Sequence, residues 1–305
     1  MKRVLITGGA GFIGANLTRK LLHVGYDVVV LDDLSTGKIE NLPKTATFIE
    51  GSVLDRNAVR RALADVDACV HLAAISSVER CKGQLTSSHA INITGFLTII
   101  EELARSRVHL PLVYASSAAV YGASQELPLS ETGNCIPLSP YGADKLSCEL
   151  HARAAYEVYG ISSLGLRFFN VYGPGQNPAS PYSGVIAKFA ERLARGENIT
   201  IHGDGRQTRD FVHVDDVVEA LLNAIGHWNT GARIVNVCSG VETSISDLAR
   251  IMIEATDSGS DITYVDGLLG EVRRSRGCVQ ALHAKLDYRC ATDLRTGLAR
   301  LLRQF

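Results

Sequence analysis

Residues 7–14 read Thr7-Gly8-Gly9-Ala10-Gly11-Phe12-Ile13-Gly14 and lie between a β-branched run at 3–7 and a segment with Ile13, Leu17 and Leu21 on one helical face. A glycine-rich turn joining a buried strand to a helix admits few folds. Gly8 and Gly11 let backbone approach a pyrophosphate, and Gly14 lets the helix pack closely on the sheet. The unpaired N–H groups of the helix N-terminus then face the phosphates. Gly25 stands where a left-handed helix cap is expected.

Short apolar runs at 3–7, 27–31, 47–50, 67–72, 111–116 and 163–168 alternate with helix-length segments at 12–24, 56–64, 87–106 and 140–159. Runs apolar throughout are strands buried on both faces, and their alternation with helices predicts a doubly wound parallel sheet. After residue 170 the chain turns to loop chemistry, Val171-Tyr172-Gly173-Pro174-Gly175-Gln176-Asn177-Pro178. Helices are expected at 182–195, 214–227 and 244–256, a strand at 233–237, and a terminal helix at 291–303 after an irregular stretch. The predicted fold class is α/β: a Rossmann-type doubly wound parallel sheet with a smaller α/β substrate-binding lobe. Residues 1–170 form the nucleotide-binding domain and 171–305 the second domain, with parts of 214–240 returning to the first.

Composition narrows the function classes. With 305 residues the chain exceeds one usual core. Its 31 basic and 32 acidic residues leave a net charge of −1, which argues against a nucleic-acid or membrane-surface footprint. The longest apolar stretches, such as Val28-Val29-Val30-Leu31, are too short to span a bilayer, and the N-terminus does not resemble a signal peptide. Seven cysteines, an odd and scattered set with no Cys-x-x-Cys, fit reduced thiols in the cytoplasm better than disulfides or a zinc site. No metal is expected.

Asp32 ends the second run, eighteen positions beyond Gly14, where a carboxylate accepts both ribose hydroxyls of a dinucleotide. The same charge repels a 2′-phosphate, so NAD is expected over NADP. A turn or cap aspartate is the plainer alternative, and it suits Asp33 equally. Further on, Tyr141-Gly142-Ala143-Asp144-Lys145 places Tyr and Lys at i and i+4 on one face of a helix that begins after Pro140. An ammonium near a phenol favours the phenolate, a usable base near neutrality. Ser117, on the turn after the 111–116 strand, can donate to the same substrate oxygen. A surface Tyr/Lys pair is the bland alternative.

These motifs, with Ser116-Ser117-Ala118-Ala119-Val120-Tyr121-Gly122, Arg167-Phe168-Phe169-Asn170-Val171-Tyr172-Gly173-Pro174 and Arg209-Asp210-Phe211-Val212-His213-Val214-Asp215-Asp216-Val217, resemble the extended short-chain dehydrogenase/reductase family. Within it the chain resembles the UDP-glucose 4-epimerase group of NAD-dependent epimerase/dehydratases, with the UDP-N-acetylglucosamine 4-epimerase subgroup among them. The resemblance implies that Tyr141 takes the proton of the sugar 4-hydroxyl while C4 gives its hydride to NAD. Ser117, with Ser116 beside it, polarises that oxygen, and Lys145 holds the nicotinamide ribose. It further implies an NAD site of Gly8, Gly11, Phe12, Ile13, Gly14, Asp32, Asp33, Ser52, Val53, Leu72, Ala73, Ala74, Asn92, Ser116, Tyr141, Lys145 and Phe168. The implied UDP-sugar site holds Ser116, Ser117, Asn170, Ile201, Arg209, Arg273 and Ser275. Corresponding helices pair across a homodimer in the family, and apolar residues such as Phe96, Ile99, Ile100 and Leu103 are available for that.

The resemblance also separates reactions. Related 4,6-dehydratases carry an acidic pair after the Ser/Thr, but this chain has Ala118 and Ala119, which cannot transfer a proton. Ser275 stands at the family's gatekeeper position, where a small side chain leaves room for a 2-N-acetyl group. Three positions depart from the pattern: Leu268 replaces a diphosphate-clamping Arg, Ser52 an adenine-contacting Asp, and Cys278 an Asp. Arg273 or Arg274 is the candidate replacement for the clamp, and arginines at 273–276 leave a uronic-acid substrate open. A dehydratase or reductase, or a non-catalytic NAD sensor, are the remaining alternatives.

Overall fold

The computed structural model describes residues 2–106, 110–176, 184–227, 230–267, 270 and 272–303. Its strands are β1 (Arg3–Thr7), β2 (Asp27–Asp32), β3 (Thr47–Glu50), β4 (Ala68–His71), β5 (Leu112–Ser117), β6 (Ser163–Phe168), β7 (Asn170–Tyr172), β8 (Ile199–His202), β9 (Thr208–Arg209), β10 (Phe211–His213), β11 (Ala232–Val237), β12 (Thr243–Ser244) and β13 (Ile262–Val265). The helices are α1 (Phe12–His23), α2 (Arg56–Ala62), α3 (Val78–Gly83), α4 (Leu85–His89), α5 (Gly95–Ser106), α6 (Pro140–Tyr159), α7 (Val185–Ala194), α8 (Val214–Gly226), α9 (Ile245–Thr256), α10 (Gln280–Leu286) and α11 (Leu294–Leu302).

Seven strands form one sheet in the order β11-β6-β5-β4-β1-β2-β3. Every pairing in it is parallel. The order reverses beside β1, where Thr7 pairs with His71 at the C-terminal ends of β1 and β4. A parallel sheet opens its ligand crevice at that switch point. One face is covered by a core containing Leu17, Leu21, Val217 and Leu221. The other is covered by Val59, Phe96, Ile99, Leu103 and Ala152. A third cluster, with Phe189, Leu193, Ile201, Leu248, Met252 and Leu298, gathers α7, α9 and α11.

β11 pairs with β6, so the chain returns to the sheet after residue 231. Between Asn170 and Val265 three small two-stranded sheets form: β7 with β10, β9 with β12, and β8 with β13. Their strands run two to four residues, too short to show a period in sequence. The expected helix over 87–106 is interrupted: Ala90–Thr94 winds as a π-helix between α4 and α5. The wider turn carries Asn92, which bonds both backbone groups of Ile75. Phe96, Ile99, Ile100 and Leu103 are 0–4% exposed and face this chain's own sheet, not a free surface. The irregular stretch before the last helix contains α10, and α11 starts at Leu294, capped by Asp293. The first residues of the expected 182–195 helix lie outside the described residues.

Candidate active site

The glycine cradle is dictated by close contact. Gly8 has φ +70°, and a Cβ there would stand 2.6 Å from the Ala73 nitrogen. A Cβ on Gly14 would lie 2.3 Å from the Gly8 carbonyl oxygen, so α1 can meet the turn only through glycine. Gly11 differs: its φ is −78°, and the nearest atom to an added Cβ is the Gly8 oxygen at 3.3 Å. Gly11 caps α1 with no side-chain bond, and no acidic residue stands in the first turn. The leading amides of α1 therefore remain available to an anion.

Asp32 is 8% exposed at the end of β2. Its Oδ2 accepts from the Ala10 amide and its Oδ1 from the Leu34 amide, both at 2.9 Å. Burial pushes its carboxyl above the ordinary carboxylate range, while the two amides pull it back. The amides fix the carboxylate's direction and leave lone pairs for a diol. Asp33 is exposed and bonds the Ser35 amide. An open-faced cradle, a leading helix end and an oriented carboxylate fit NAD. The chain would hold its pyrophosphate at Gly11–Ile13 and its ribose at Asp32.

Tyr141 and Lys145 come from α6, which Ser139 caps through the Gly142 amide at 3.1 Å. Lys145 is 3% exposed; its Nζ donates to the Ala115 carbonyl at 2.9 Å and lies 5.8 Å from the Tyr141 ring centroid. Burial, aided by the Lys145 charge, pushes His71 down to about 3, so it stays neutral beneath the site. Ser117 ends β5 and accepts from the Ala119 amide at 3.2 Å, leaving its O–H proton uncommitted among the described residues. Ser116 turns the other way: its Oγ donates to Glu149 at 2.5 Å.

These groups share one cleft of about 1100 Å³. Gly8, Gly11, Phe12, Ile13, Gly14, Asp32, Asp33, Val53, Leu72, Ala73, Ala74, Ser116, Ser117, Tyr141, Lys145, Phe168, Asn170, Arg209 and Ser275 all line it. Four expected residues do not. Ser52 spends its hydroxyl on the Leu54 amide, and Asn92, 1% exposed, acts through the Ile75 backbone. Ile201 is 1% exposed in the third core, because alternation along β8 turns it inward. Arg273 points outward into a bidentate pair with Asp204 at 2.7 Å. Arg274 likewise pairs with Glu242 at 2.8 Å, so neither arginine lines the cleft as a replacement clamp. Leu268 lies outside the described residues. Lys188 of α7 lines the cleft and has no partner among the described residues; no local pattern marks it in sequence.

The Arg209 guanidinium donates to the Val272 carbonyl at 2.7 Å, tying the cleft wall at Val272–Ser275 to β9. Ser275 is 7% exposed. Among the described residues no helix is long and apolar enough to cross a membrane, and no cluster suits a metal ion.

Residues 4–238 match the NAD dependent epimerase/dehydratase family. The chain belongs to that family. Family members are NAD-dependent, and NAD is the cofactor the cradle accommodates. Among its relatives is the UDP-glucose 4-epimerase of Mycolicibacterium smegmatis, 34% identical over 99% of this chain and 98% of that one. A solved UDP-glucose 4-epimerase from Thermotoga maritima, with UDP-glucose, has TM-score 0.94 at 35% identity, covering 99% of this chain and 97% of that chain. A UDP-N-acetylglucosamine 4-epimerase from Methanobrevibacter ruminantium, in complex with UDP-N-acetylmuramic acid, has TM-score 0.94 at 32% identity, with coverages of 99% and 97%.

Proposed function

We propose that this family member is an NAD-dependent 4-epimerase of UDP-sugars, acting on the UDP-glucose/galactose and UDP-GlcNAc/GalNAc pairs. The observation that carries the reading is the convergence of Ser117, Tyr141 and Lys145 in the cleft that begins at the glycine cradle and includes Arg209 and Ser275. Bound NAD would supply the hydride acceptor, and later the hydride donor, at the sugar C4. Tyr141 takes the 4-hydroxyl proton and returns it when the 4-keto sugar has turned over. Ser117 donates to the same oxygen, and the buried Lys145, with its Nζ 5.8 Å from the Tyr141 ring centroid, holds the nicotinamide ribose beside it. Arg209 pairs with diphosphate oxygens.

Dehydration needs a further acid beside the sugar. Among the described cleft-lining residues the carboxylates are Asp32, Asp33 and Glu79, and Glu79 is paired with Lys82. Ala118 and Ala119 line the cleft next to Ser117, where the acid would stand. Of the arginines that could receive a uronate carboxylate, Arg273 and Arg274 are paired with Asp204 and Glu242 outside the cleft. A non-catalytic sensor would have no use for a Tyr–Lys–Ser set. We further propose a cytoplasmic homodimer built on α6, where Leu150, Val158 and Tyr159 are 57–68% exposed.

The test is to assay the purified protein for bound NAD(H), then supply UDP-galactose and UDP-GalNAc without added cofactor, with light scattering for the mass of the particle. Interconversion of both pairs supports the reading; a 4-keto-6-deoxy product would overturn it. Ser275 offers a sharper discrimination. Ser275→Tyr is expected to lower kcat/KM for the N-acetylated pair by at least about 100-fold and for the plain hexoses by less than about 5-fold. Equal losses on both pairs would remove Ser275 from substrate selection.

A further inference from the structure

Tyr141, Lys145 and Glu149 stand at i, i+4 and i+8 on one face of α6, and only the first two line the cleft. Glu149 is 8% exposed. Its Oε1 accepts from Ser116 Oγ at 2.5 Å and from Arg167 Nε at 2.9 Å, and its Oε2 accepts from Arg167 Nη2 at 2.7 Å. Arg167, 4% exposed on β6, also lies 4.7 Å from the centroid of the Tyr121 ring. The Tyr121 hydroxyl in turn donates to Asn236 Oδ1 of β11 at 2.6 Å.

Ser117 lies between these anchors. Ser116 precedes it, and Tyr121 closes the 3₁₀ turn Ala118–Tyr121 that Ser117 itself caps. Both flanks of Ser117 thus rest on one buried ion pair, and that pair is carried by the helix that presents Tyr141 and Lys145. We propose that Glu149 and Arg167 are positioning residues that set Ser117 against Tyr141, and that Ser116 belongs to this clamp instead of contacting NAD or sugar. Apolar packing of equal volume would hold the fold as well as a buried pair does. A carboxylate saturated by three directional donors does something packing cannot: it fixes orientation across α6, β5 and β6. Geometry matters here because a misplacement of about 1 Å in a reacting group can cost about 100-fold in rate.

The role rests on the epimerase reading, and steady-state kinetics with UDP-galactose, bound NAD content and thermal midpoints separate the two. Ser116→Ala is expected to lower kcat about 10-fold with KM and bound NAD within about 2-fold of wild type. Ser116→Thr, which keeps the hydroxyl, should recover most of kcat. Glu149→Gln should lower kcat further, about 100-fold; if it does not fold, the Ser116 pair decides alone. An unchanged kcat in Ser116→Ala would overturn the clamp. A raised KM or lost NAD with kcat intact would also overturn it, by making Ser116 a ligand. A wild type inert toward every UDP-sugar would overturn the epimerase reading and this role with it.

Discussion

Tyr141→Phe is expected to keep its bound NAD and to lose turnover, with kcat lower by about 10²–10⁴-fold. The substitution removes one oxygen from the second residue of α6, so the Ser139 cap and the Pro140 start are untouched. Lys145 keeps its own anchor on the Ala115 carbonyl. What disappears is the group that can accept the 4-hydroxyl proton, while the volume and the cradle remain. The measurement is UDP-galactose conversion beside the near-UV absorbance of the bound nicotinamide. Retention of more than about a tenth of wild-type kcat would take Tyr141 out of the proton transfer, since acid–base catalysis is worth more than that.

The second large effect contrasts two glycines of one turn. Gly14→Ala should destabilise the protein by about 3 kcal/mol and strip it of NAD, because the new Cβ meets the Gly8 oxygen at 2.3 Å and the Gly9 Cα at 2.6 Å. Both obstacles are backbone, so strand, turn or helix has to move. Gly11→Ala should leave the cofactor-free protein near wild-type stability, since its backbone is extended and the nearest atom lies at 3.3 Å. Its methyl would occupy the open face of the cradle and weaken NAD binding by at least about 10-fold, or about 1.4 kcal/mol. Thermal unfolding with and without added NAD checks both. Equal destabilisation of the two variants without cofactor would show that Gly11 serves packing and not the pyrophosphate.

Much of the site was legible because its parts are local. The strand–glycine–helix order at 3–23 and the i, i+4 spacing of Tyr141 and Lys145 need only backbone geometry. Asp32 is legible for the same reason, since it ends a strand whose boundaries the apolar run marks. Residues whose roles depend on what lies across the sheet were not. Ser116 and Ser117 look alike in sequence, yet one hydroxyl is spent on Glu149 and the other remains available at the cleft. Arg273 has the charge of a diphosphate ligand in sequence, but Asp204, 69 positions away, holds it in a bidentate pair. Ile201 belongs to a strand of four residues, too short for its inward face to be read from alternation.

The sequence by itself determined the parallel sheet, the cofactor cradle and the pairing of Tyr141 with Lys145 on one helix, because each is set by the order and spacing of neighbours along one strand–turn–helix unit. Only the tertiary structure decided which polar side chains reach the cleft and which are held away from it. A side chain's direction follows from its element, but its availability depends on the donors and acceptors that distant elements bring against it. Glu149, Asp204 and Glu242 supply those partners, and so decide the availability of Ser116, Arg273 and Arg274.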